Sequence, residues 1–284
     1  MKILVTGSNG QLGYDVLKEL HRRKIPCRGI DREECDITNM PQVMHWVETY
    51  QPDAVIHCAA YTNVNRAETE QTLCMDINYR GSANIAAAAN KTGAKLIYIS
   101  TDYVFGASGE QPLGIYEAKN PLNTYGETKL SGENSTRILC PRSFIVRTSW
   151  VFGINGSNFV KTMLRLGREK EEISVVSDQI GSPTYTADLA PLLCDMAMTE
   201  RFGTYHATNE GYCSWYEFAV EIFKQAGMDV KVTPVSTAEY TAAYPGQAKR
   251  PMNSRISKEK LSDKGFERLP SWQDAVGRYL KEIQ

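Results

Sequence analysis

The sequence predicts an α/β fold with a doubly wound parallel sheet, followed by a smaller C-terminal lobe. Short β-branched runs alternate with helical patterns in the first half, and a glycine-rich turn follows the first run directly. The second half loses that rhythm, and Gly and Pro interrupt shorter elements. We therefore expect a Rossmann-type NAD(P)-binding domain over residues 1–147. Residues 148–284 form a mainly substrate-binding lobe, with some segments returning to the first domain.

Each expected element comes from a local pattern. Apolar runs bounded by turn residues predict strands at Lys2–Thr6, Cys27–Asp31, Ala54–Cys58, Lys95–Ser100 and Phe144–Thr148. Helical periodicity between them predicts helices at Gln11–Arg23, Pro41–Tyr50, Gln71–Lys91 and Tyr125–Arg137. A further helix is expected at Ser214–Ala226, because Ser214 and Glu217 have capping-box spacing and Gly227 can end it.

Composition excludes several classes of protein. Hydrophobic residues make up 42% of the 284, charged residues 23%, and the formal net charge is −1, so no basic surface for nucleic acid is expected. The N-terminal apolar run is too short for a signal peptide and no stretch reaches membrane-spanning length, which predicts a cytoplasmic protein without membrane association. The seven cysteines contain no Cys-x-x-Cys pair and the four histidines are scattered, which favours neither disulfides nor a metal site.

The glycine-rich turn predicts a dinucleotide-binding loop. Gly7, Gly10 and Gly13 follow the first strand and open into the first helix, with Gln11 and Leu12 between them. Glycine there permits a tight turn, close backbone approach to a pyrophosphate and close helix–strand packing, and the helix N-terminus attracts phosphate. A loop that merely needs glycine is the alternative, and the strand before and the helix after make it the weaker one.

Two charged residues at the end of the second strand leave the choice of cofactor open. Asp31 stands where an acidic residue can bond the adenosine ribose hydroxyls of NAD. Arg32 follows it, and a guanidinium suits the 2′-phosphate of NADP. The sequence therefore predicts NADP, with NAD as the second possibility.

Tyr125 and Lys129 are the predicted catalytic pair. They lie four residues apart, on one helix face. Tyr14 and Lys18 have the same spacing but fall in the helix after the glycine loop, so position selects the first pair, whose helix follows the Lys95–Ser100 strand. Thr101, at the end of that strand, is the third candidate.

A nearby lysine also predicts a shifted tyrosine pKa. A tyrosine with a pKa near 10 is a poor acid at neutral pH, but a cation about 4 Å away at an effective dielectric near 20 contributes about 4 kcal/mol. We therefore expect Lys129 to lower the pKa of Tyr125 by about three units.

With these residues the chain resembles the extended short-chain dehydrogenase/reductase family over its whole length. Finer motifs are similar to the members that reduce 4-keto deoxysugar nucleotides, and they occur in the same order: Gly10–Gly13, Ser100–Phe105, Tyr125–Leu130, Arg147–Val151 and Arg250–Arg255. The resemblance implies reduction of the 4-keto group of dTDP-4-dehydro-L-rhamnose to dTDP-L-rhamnose, a step of nucleotide-sugar biosynthesis. It also implies that a homodimer can form.

The resemblance implies a role for each site residue. Tyr125 would protonate the keto oxygen while the nicotinamide delivers hydride, Lys129 would hold the ribose and tune Tyr125, and Thr101 would bond the reacting oxygen. Asp102 and Trp150 would contact the deoxysugar. The cofactor would also be lined by Asp36, Ile37, Ala60, Tyr61 and Thr62.

Arg250 is predicted separately to bind the substrate diphosphate. The glycine loop is committed to the cofactor's pyrophosphate, and the planar fork of arginine bonds phosphate oxygens in pairs. Arg255 is the weaker candidate, with a solvated surface charge equally open. The family's magnesium site is built from glutamates, and Asp15 stands at the first-helix position here, so no metal is predicted.

Two other functions stay open at this stage. A nucleotide-sugar dehydratase or epimerase is similar, but dehydratases follow the catalytic threonine with Asp-Glu, whereas this chain has Asp102-Tyr103. A non-catalytic NADP-binding subunit, like the methionine adenosyltransferase beta subunit, is the other. Intact Thr101, Tyr125 and Lys129 favour an enzyme.

Overall fold

In the computed structural model, which describes residues 1–283, strands and helices alternate through the first half of the chain. The strands are β1 (Ile3–Thr6), β2 (Cys27–Ile30), β3 (Ala54–His57), β4 (Lys95–Thr101), β5 (Ser143–Thr148), β6 (Val151–Phe152), β7 (Glu172–Val176), β8 (Ile180–Gly181), β9 (Thr184–Tyr185), β10 (Gly203–His206), β11 (Cys213–Ser214) and β12 (Lys231–Val235). The helices are α1 (Gln11–Arg22), α2 (Met40–Tyr50), α3 (Val64–Ala67), α4 (Gln71–Met75), α5 (Ser82–Thr92), α6 (Thr124–Leu139), α7 (Phe159–Glu169), α8 (Thr186–Ala197), α9 (Trp215–Ala226), α10 (Thr237–Ala243), α11 (Glu259–Asp263) and α12 (Trp272–Ile283).

The central sheet is parallel and has the order β2-β1-β3-β4-β5-β10. The chain leaves β1 to one side for β2 and then returns to its other side for β3. The strand order therefore reverses beside β1, and open α/β sheets bind ligands at the carboxyl edge of such a reversal. The glycine loop lies at this edge because it follows β1.

Helices cover both faces of the sheet, which confirms the predicted doubly wound fold. Successive strand residues point to opposite faces. Ile3 and Val5 accordingly pack in a cluster with residues of α1 and α8, whereas Leu4 packs with residues of α2 and α5. Two separate cores result, one on each side of the sheet.

The C-terminal half builds a lobe with its own aromatic core. Its buried rings include Phe152, Tyr185, Phe218, Trp272 and Tyr279. Three segments of this half nevertheless join the first domain, since α8 packs on α1, β10 extends the central sheet beside β5, and Leu261 of α11 packs in the same core. Within residues 1–283, no helix is long and apolar enough to cross a lipid bilayer.

The predicted helix Gln71–Lys91 is present as one unbroken helical run, but its middle turns are π-helical, which the sequence pattern did not indicate. The structure has α4, then a π-helical segment at Asp76–Gly81, then α5. The wider turn sets Asn78, which is fully buried, where its side chain pairs with the backbone of Tyr61. π-Bulges are common at functional sites because they redirect a side chain in this way.

The predicted ends of the other helices hold closely. Ser214 and Glu217 form the expected capping box, and Gly227 ends α9 with a φ of 65°. The structure adds two helix ends of the same kind: Gly93 ends α5 with a φ of 75°, and Asn39 caps α2, with proline in its first turn. Residues of these types stop and start helices by local chemistry.

A fully buried ion pair joins α6 to the sheet. Arg147 of β5 donates to both carboxylate oxygens of Glu133, each at 2.7 Å, and both side chains are 0% exposed. Ser100 of β4 donates to one of these oxygens at 2.6 Å and Arg137 to the other at 2.8 Å. The carboxylate is thus saturated with donors, which a buried charge requires.

The protonation of the Glu133 carboxyl makes the stability of the fold depend on pH. Burial by itself raises its pKa, but the hydrogen bonds from Arg147 and Ser100 and the arginine charges hold the pKa below its usual value. A group with a depressed folded-state pKa stabilises the fold above its unfolded pKa, and that contribution is lost as the pH falls through the folded pKa. The contribution is therefore full at neutral pH and declines below about pH 4.3.

We predict that Glu133→Gln lowers the free energy of unfolding at pH 7 by about 3 kcal/mol or more, because it leaves the Arg147 guanidinium buried and uncompensated. Urea unfolding measures this difference. Glu127→Gln, on the exposed face of the same helix, is the matched control and should change stability by less than about 0.5 kcal/mol. The loss of stability below about pH 4.3 should also be smaller in Glu133→Gln. Equal stabilities of the two variants would contradict the role of the pair.

Candidate active site

A cavity of about 1020 Å³ lies between the carboxyl edge of the central sheet and the C-terminal lobe. Apart from the weaker candidate Arg255, every site residue predicted from the sequence lines this cavity: Gly7, Gly10, Gln11, Leu12, Gly13, Asp31, Arg32, Asp36, Ile37, Ala60, Tyr61, Thr62, Thr101, Asp102, Tyr125, Lys129, Trp150 and Arg250. The fold brings together residues from both halves of the chain. Their individual roles stay predictions.

The glycine loop forms a cradle that side chains would fill. Gly7 has a φ of 65°, and a Cβ there would lie 2.6 Å from the Ala59 nitrogen. A Cβ on Gly13 would overlap the Gly7 carbonyl. Gly10 precedes α1 without a side-chain cap, so the first N–H groups of that helix are free to bond a ligand. This open cradle at a helix N-terminus fits a dinucleotide pyrophosphate.

Directly after β2, Asp31 accepts hydrogen bonds from the backbone of the glycine loop and of the residue that follows it. One carboxylate oxygen accepts from the Asn9 nitrogen at 2.9 Å and the other from the Arg32 nitrogen at 2.8 Å. The Arg32 side chain is exposed at the rim of the cavity. Nearby, Asp36 accepts from the Thr38 hydroxyl and backbone, and these hydrogen bonds hold the Asp36 pKa below its usual value.

The Ala60–Thr62 segment is held by residues that the sequence did not single out. Asn78 accepts from the Tyr61 nitrogen at 2.8 Å and donates to the Tyr61 carbonyl at 3.0 Å. It also donates to the Thr128 hydroxyl of α6 at 3.1 Å. The hydrogen bonds of this one asparagine therefore connect the Ala60–Thr62 segment to α6. The sequence carries no signal for it, because the π-turn that orients Asn78 is not visible in the periodicity.

Tyr125 and Lys129 occupy the first two turns of α6. Asn123 caps this helix by accepting from the Gly126 nitrogen at 2.8 Å. Lys129 is only 3% exposed, and its Nζ lies 4.3 Å from the centroid of the Tyr98 ring. Tyr14 and Lys18 do not line the cavity, and Lys18 instead pairs with Glu282 at 2.7 Å.

The predicted lowering of the Tyr125 pKa by Lys129 is wrong. Burial raises the pKa of Tyr125 well above its usual value, and the Asp102 charge adds to the rise, while a hydrogen bond with Thr101 opposes it. Burial also lowers the pKa of Lys129 to about 8. Removal from water is the largest cause for both groups, and the sequence estimate left it out.

Thr101 and Asp102 continue the site from the end of β4. The Thr101 hydroxyl donates to one Asp102 oxygen at 3.0 Å. The other oxygen, Oδ2, is buried and has no hydrogen-bond partner within residues 1–283. Burial raises the Asp102 pKa to about 6, although the Ser254 and Thr101 hydroxyls and the Arg250 charge act to lower it.

Trp150 is held in a strained conformation against a second tryptophan. Its φ is 49°, in the left-handed region that bulky residues seldom adopt. Its ring stacks on Trp215 with centroids 3.7 Å apart and planes 14° apart, and a Cβ on Gly181 would lie 2.8 Å from the Trp150 ring. Trp215 also lines the cavity but was missed. Its position directly after the Ser214 cap was the available signal.

Arg250 lies on a segment whose backbone is hydrogen-bonded to the side chains of two asparagines. Asn123 donates to the Lys249 carbonyl at 2.7 Å, and Asn65 accepts from the Ala248 nitrogen at 3.2 Å. The Arg250 guanidinium approaches the Tyr103 hydroxyl at 3.5 Å. Arg255 does not line the cavity, and its guanidinium bonds Asn253 at 3.1 Å.

Asp15 is buried beside the Thr186 hydroxyl, to which it is hydrogen-bonded. Burial raises the pKa of this carboxyl. Across residues 1–283, no three His, Cys, Asp or Glu side chains are grouped so that they could hold a metal ion. Thr186 bonds only one of the two carboxylate oxygens, and the other, Oδ1, is buried without a hydrogen-bond partner among residues 1–283.

A family model, relatives of known name and a solved structure all assign the chain to the same family. The family model described as RmlD substrate binding domain matches residues 1–284. The spore coat polysaccharide biosynthesis protein SpsK of Bacillus subtilis is 40% identical over 281 residues, covering 99% of this chain and 97% of that protein. The dTDP-4-dehydrorhamnose reductase of Aggregatibacter actinomycetemcomitans is 39% identical, covering 97% of each.

A solved structure matches equally well. The dTDP-4-dehydrorhamnose reductase of Bacillus anthracis, in complex with NADP, is 45% identical and has a TM-score of 0.95, covering 100% of this chain and 99% of that chain. The matches extend beyond the nucleotide-binding half to the lobe that carries Trp215 and Arg250. The chain therefore belongs to the dTDP-4-dehydrorhamnose reductase family.

Proposed function

We propose that the protein reduces the 4-keto group of dTDP-4-dehydro-L-rhamnose to dTDP-L-rhamnose, with NADPH as the hydride donor. One observation carries the proposal: Thr101, Tyr125 and Lys129 line the same cavity as the glycine cradle, and the tryptophans and arginine of the C-terminal lobe complete its wall. A relative with the same reductase name and a neighbour in complex with NADP support the substrate class and the cofactor.

The cofactor would be held by the glycine cradle and the first N–H groups of α1, with Arg32 at its 2′-phosphate. When bound, its nicotinamide supplies the hydride for the carbonyl carbon. The Ala60–Thr62 segment, fixed by Asn78, would border the same molecule. We assign Asp31 to holding the loop, since both its oxygens accept backbone N–H groups.

Tyr125 would donate the proton to the carbonyl oxygen. The raised pKa keeps this phenol protonated at neutral pH, so the donor form is fully populated. The Thr101 hydroxyl would donate a hydrogen bond to the same oxygen and align it. Lys129, a buried cation one helical turn away, would stabilise the phenolate that forms when the proton leaves.

The C-terminal lobe would select the sugar nucleotide. The stacked pair Trp150 and Trp215 offers a rigid aromatic surface, and Asp102 lines the same cavity and would lie beside the sugar. Arg250 would bond the diphosphate. We propose residues 1–147 as the NAD(P)-binding domain, with α8, β10 and α11 added to it, and the remainder of 148–284 as the substrate lobe.

Elimination of water is disfavoured by Tyr103, which stands where a dehydratase has glutamate. Burial raises the Tyr103 pKa to about 12, so the group cannot act as a base at neutral pH. Its ring packs edge-on against Tyr125 with centroids 5.6 Å apart. Tyr103 accordingly lines the site without acting as a base. The geometry therefore favours simple carbonyl reduction.

We also propose that the protein acts in the cytoplasm, since all seven cysteines are unpaired and five of them are buried, as suits a reducing compartment. Assembly as a homodimer is proposed from the family resemblance alone. Sedimentation velocity measures the oligomeric state directly.

The function is tested by a panel of nucleotide-linked 4-keto sugars with NADPH, followed by loss of absorbance. We expect turnover of the 4-keto deoxysugar nucleotide and a fall in kcat of at least about 10²-fold in Tyr125→Phe, because the variant lacks the proton donor but keeps the ring. The Kd for NADPH should stay unchanged. Tyr14→Phe is the matched control, since Tyr14 is 43% exposed and outside the cavity. Activity of Tyr125→Phe within about fivefold of the parent would refute the assignment.

Arg32→Ala should raise the KM for NADPH by about 10-fold and leave the KM for NADH nearly unchanged, because only NADPH carries a 2′-phosphate for the guanidinium. Steady-state assays with each cofactor measure both constants. Arg28→Ala, an exposed arginine of β2 that does not line the cavity, is the control. Equal losses for the two cofactors would show that Arg32 does not read the phosphate.

Arg250→Ala should raise the substrate KM by about 10-fold or more, equivalent to about 1.4 kcal/mol, with the KM for NADPH unchanged. The reason is loss of the charged partner for the diphosphate. Arg255→Ala removes the same charge from outside the cavity and serves as the control. If the substrate KM of Arg250→Ala matches that of the control, the diphosphate is bound elsewhere.

A further inference from the structure

A second cavity, of about 520 Å³, lies beside β10, the edge strand of the central sheet, and shares no lining residue with the first within residues 1–283. We call it the edge cleft. Its walls come from the loop before α6, from α6 itself, from β10 and from α11, and the residues that matter here are Tyr116, Lys119, Leu130, Arg137, Thr204 and Lys260. A concave site of this volume suits a small molecule.

Two lysines face the edge cleft without a carboxylate partner. The Lys119 ammonium donates to the Ile115 carbonyl at 3.0 Å, and the Lys260 ammonium stands 4.7 Å from the Tyr205 ring centroid. Neither forms a salt bridge with any residue of the 1–283 range. Burial lowers the pKa of both, and nearby cations add to this, Arg147 for Lys119 and Lys264 for Lys260.

The third cation, Arg137, is only partly neutralised. It shares the single carboxylate of Glu133 with Arg147, so one negative charge serves two guanidinium groups. The Arg137 side chain remains 41% exposed. Apart from Glu133, the carboxylate that acts on the cluster is Glu117, which raises the Lys119 pKa slightly against the opposing causes. The edge cleft therefore carries an excess of positive charge.

The rest of the lining complements the cations. Thr204 adds a hydroxyl beside Arg137, and arginine, lysine and hydroxyl groups are the usual protein partners of phosphate. Tyr116 is 89% exposed at the rim, and Leu130 is half-buried in the wall. An exposed aromatic ring beside a phosphate site offers a stacking surface for a nucleobase.

We propose that the edge cleft is a second ligand site of this protein, which binds the phosphate groups of a nucleoside diphosphate through Lys119, Arg137 and Lys260. The base would lie against Tyr116. This inference does not rest on the proposed reaction, because none of these residues belongs to the active-site cavity. Free inorganic phosphate shares the same chemistry and is the other source of such a ligand.

Isothermal titration with dTDP tests the proposal on protein loaded with one equivalent of NADPH. We expect two bound equivalents in the parent protein. Lys119→Gln/Lys260→Gln should weaken one of them at least about tenfold and leave the other. Lys264→Gln removes one positive charge on the exposed side of this region, as Lys260→Gln does inside the cleft, and should keep both equivalents. If the double variant does not fold by circular dichroism, Lys260→Gln alone is used, since its ammonium holds no backbone carbonyl within residues 1–283.

Arg250→Ala separates the two sites. It should weaken the equivalent that survives in the lysine variant, and failure of that result alone would count against the proposed function and not against the edge cleft. Inorganic phosphate that displaces the lysine-dependent equivalent at the same concentration as dTDP would identify phosphate alone as the ligand, whereas thymidine should not compete. A single bound equivalent in the parent, or a second one unchanged in the lysine variant, would overturn the proposal.

Discussion

The buried pair of Glu133 and Arg147 fixes the active site. Glu133 stands on α6 one turn after Lys129, which itself stands one turn after Tyr125, so these three side chains share one helix face. Arg147 lies three residues before Trp150 on the strand that leads to the C-terminal lobe. Ser100, which also bonds Glu133, precedes Thr101. One carboxylate therefore sets the relative positions of Tyr125, Thr101 and Trp150.

Burial governs the chemistry of this site more than neighbouring charges do. It raises the pKa of Tyr125 and Asp102 and lowers that of Lys129, and in each case it is the largest cause. A dry site strengthens every hydrogen bond to a developing charge. It also shifts the pKa of each group in the direction that favours its neutral form.

Sequence reasoning found what local rules determine. The glycine loop, the parallel strands and the helix that starts near Tyr125 follow from spacing, periodicity and capping, and the structure has each of them. The return of β10 to the sheet was expected only in general terms, since a four-residue strand has little pattern of its own. The π-turn at Asn78 and the grip of Asn65 on the Arg250 segment arise from contacts between residues far apart in the chain. The prediction of the Tyr125 pKa shift was wrong because an estimate from pairs of charges leaves out the loss of hydration on burial.

The path of the chain through β10 bears on how such proteins can be recombined. A chain cut after residue 147 would keep the glycine loop and α6 but would expose the open edge of β5 and the face of α1 that α8 covers. Unpaired strand edges invite aggregation. Residues 1–147 therefore do not form a unit that can be transferred alone, and C-terminal lobes cannot be exchanged between relatives by a single crossover after residue 147. Exchange requires grafts on both sides of the α8–β10 segment, which has to travel with the first half.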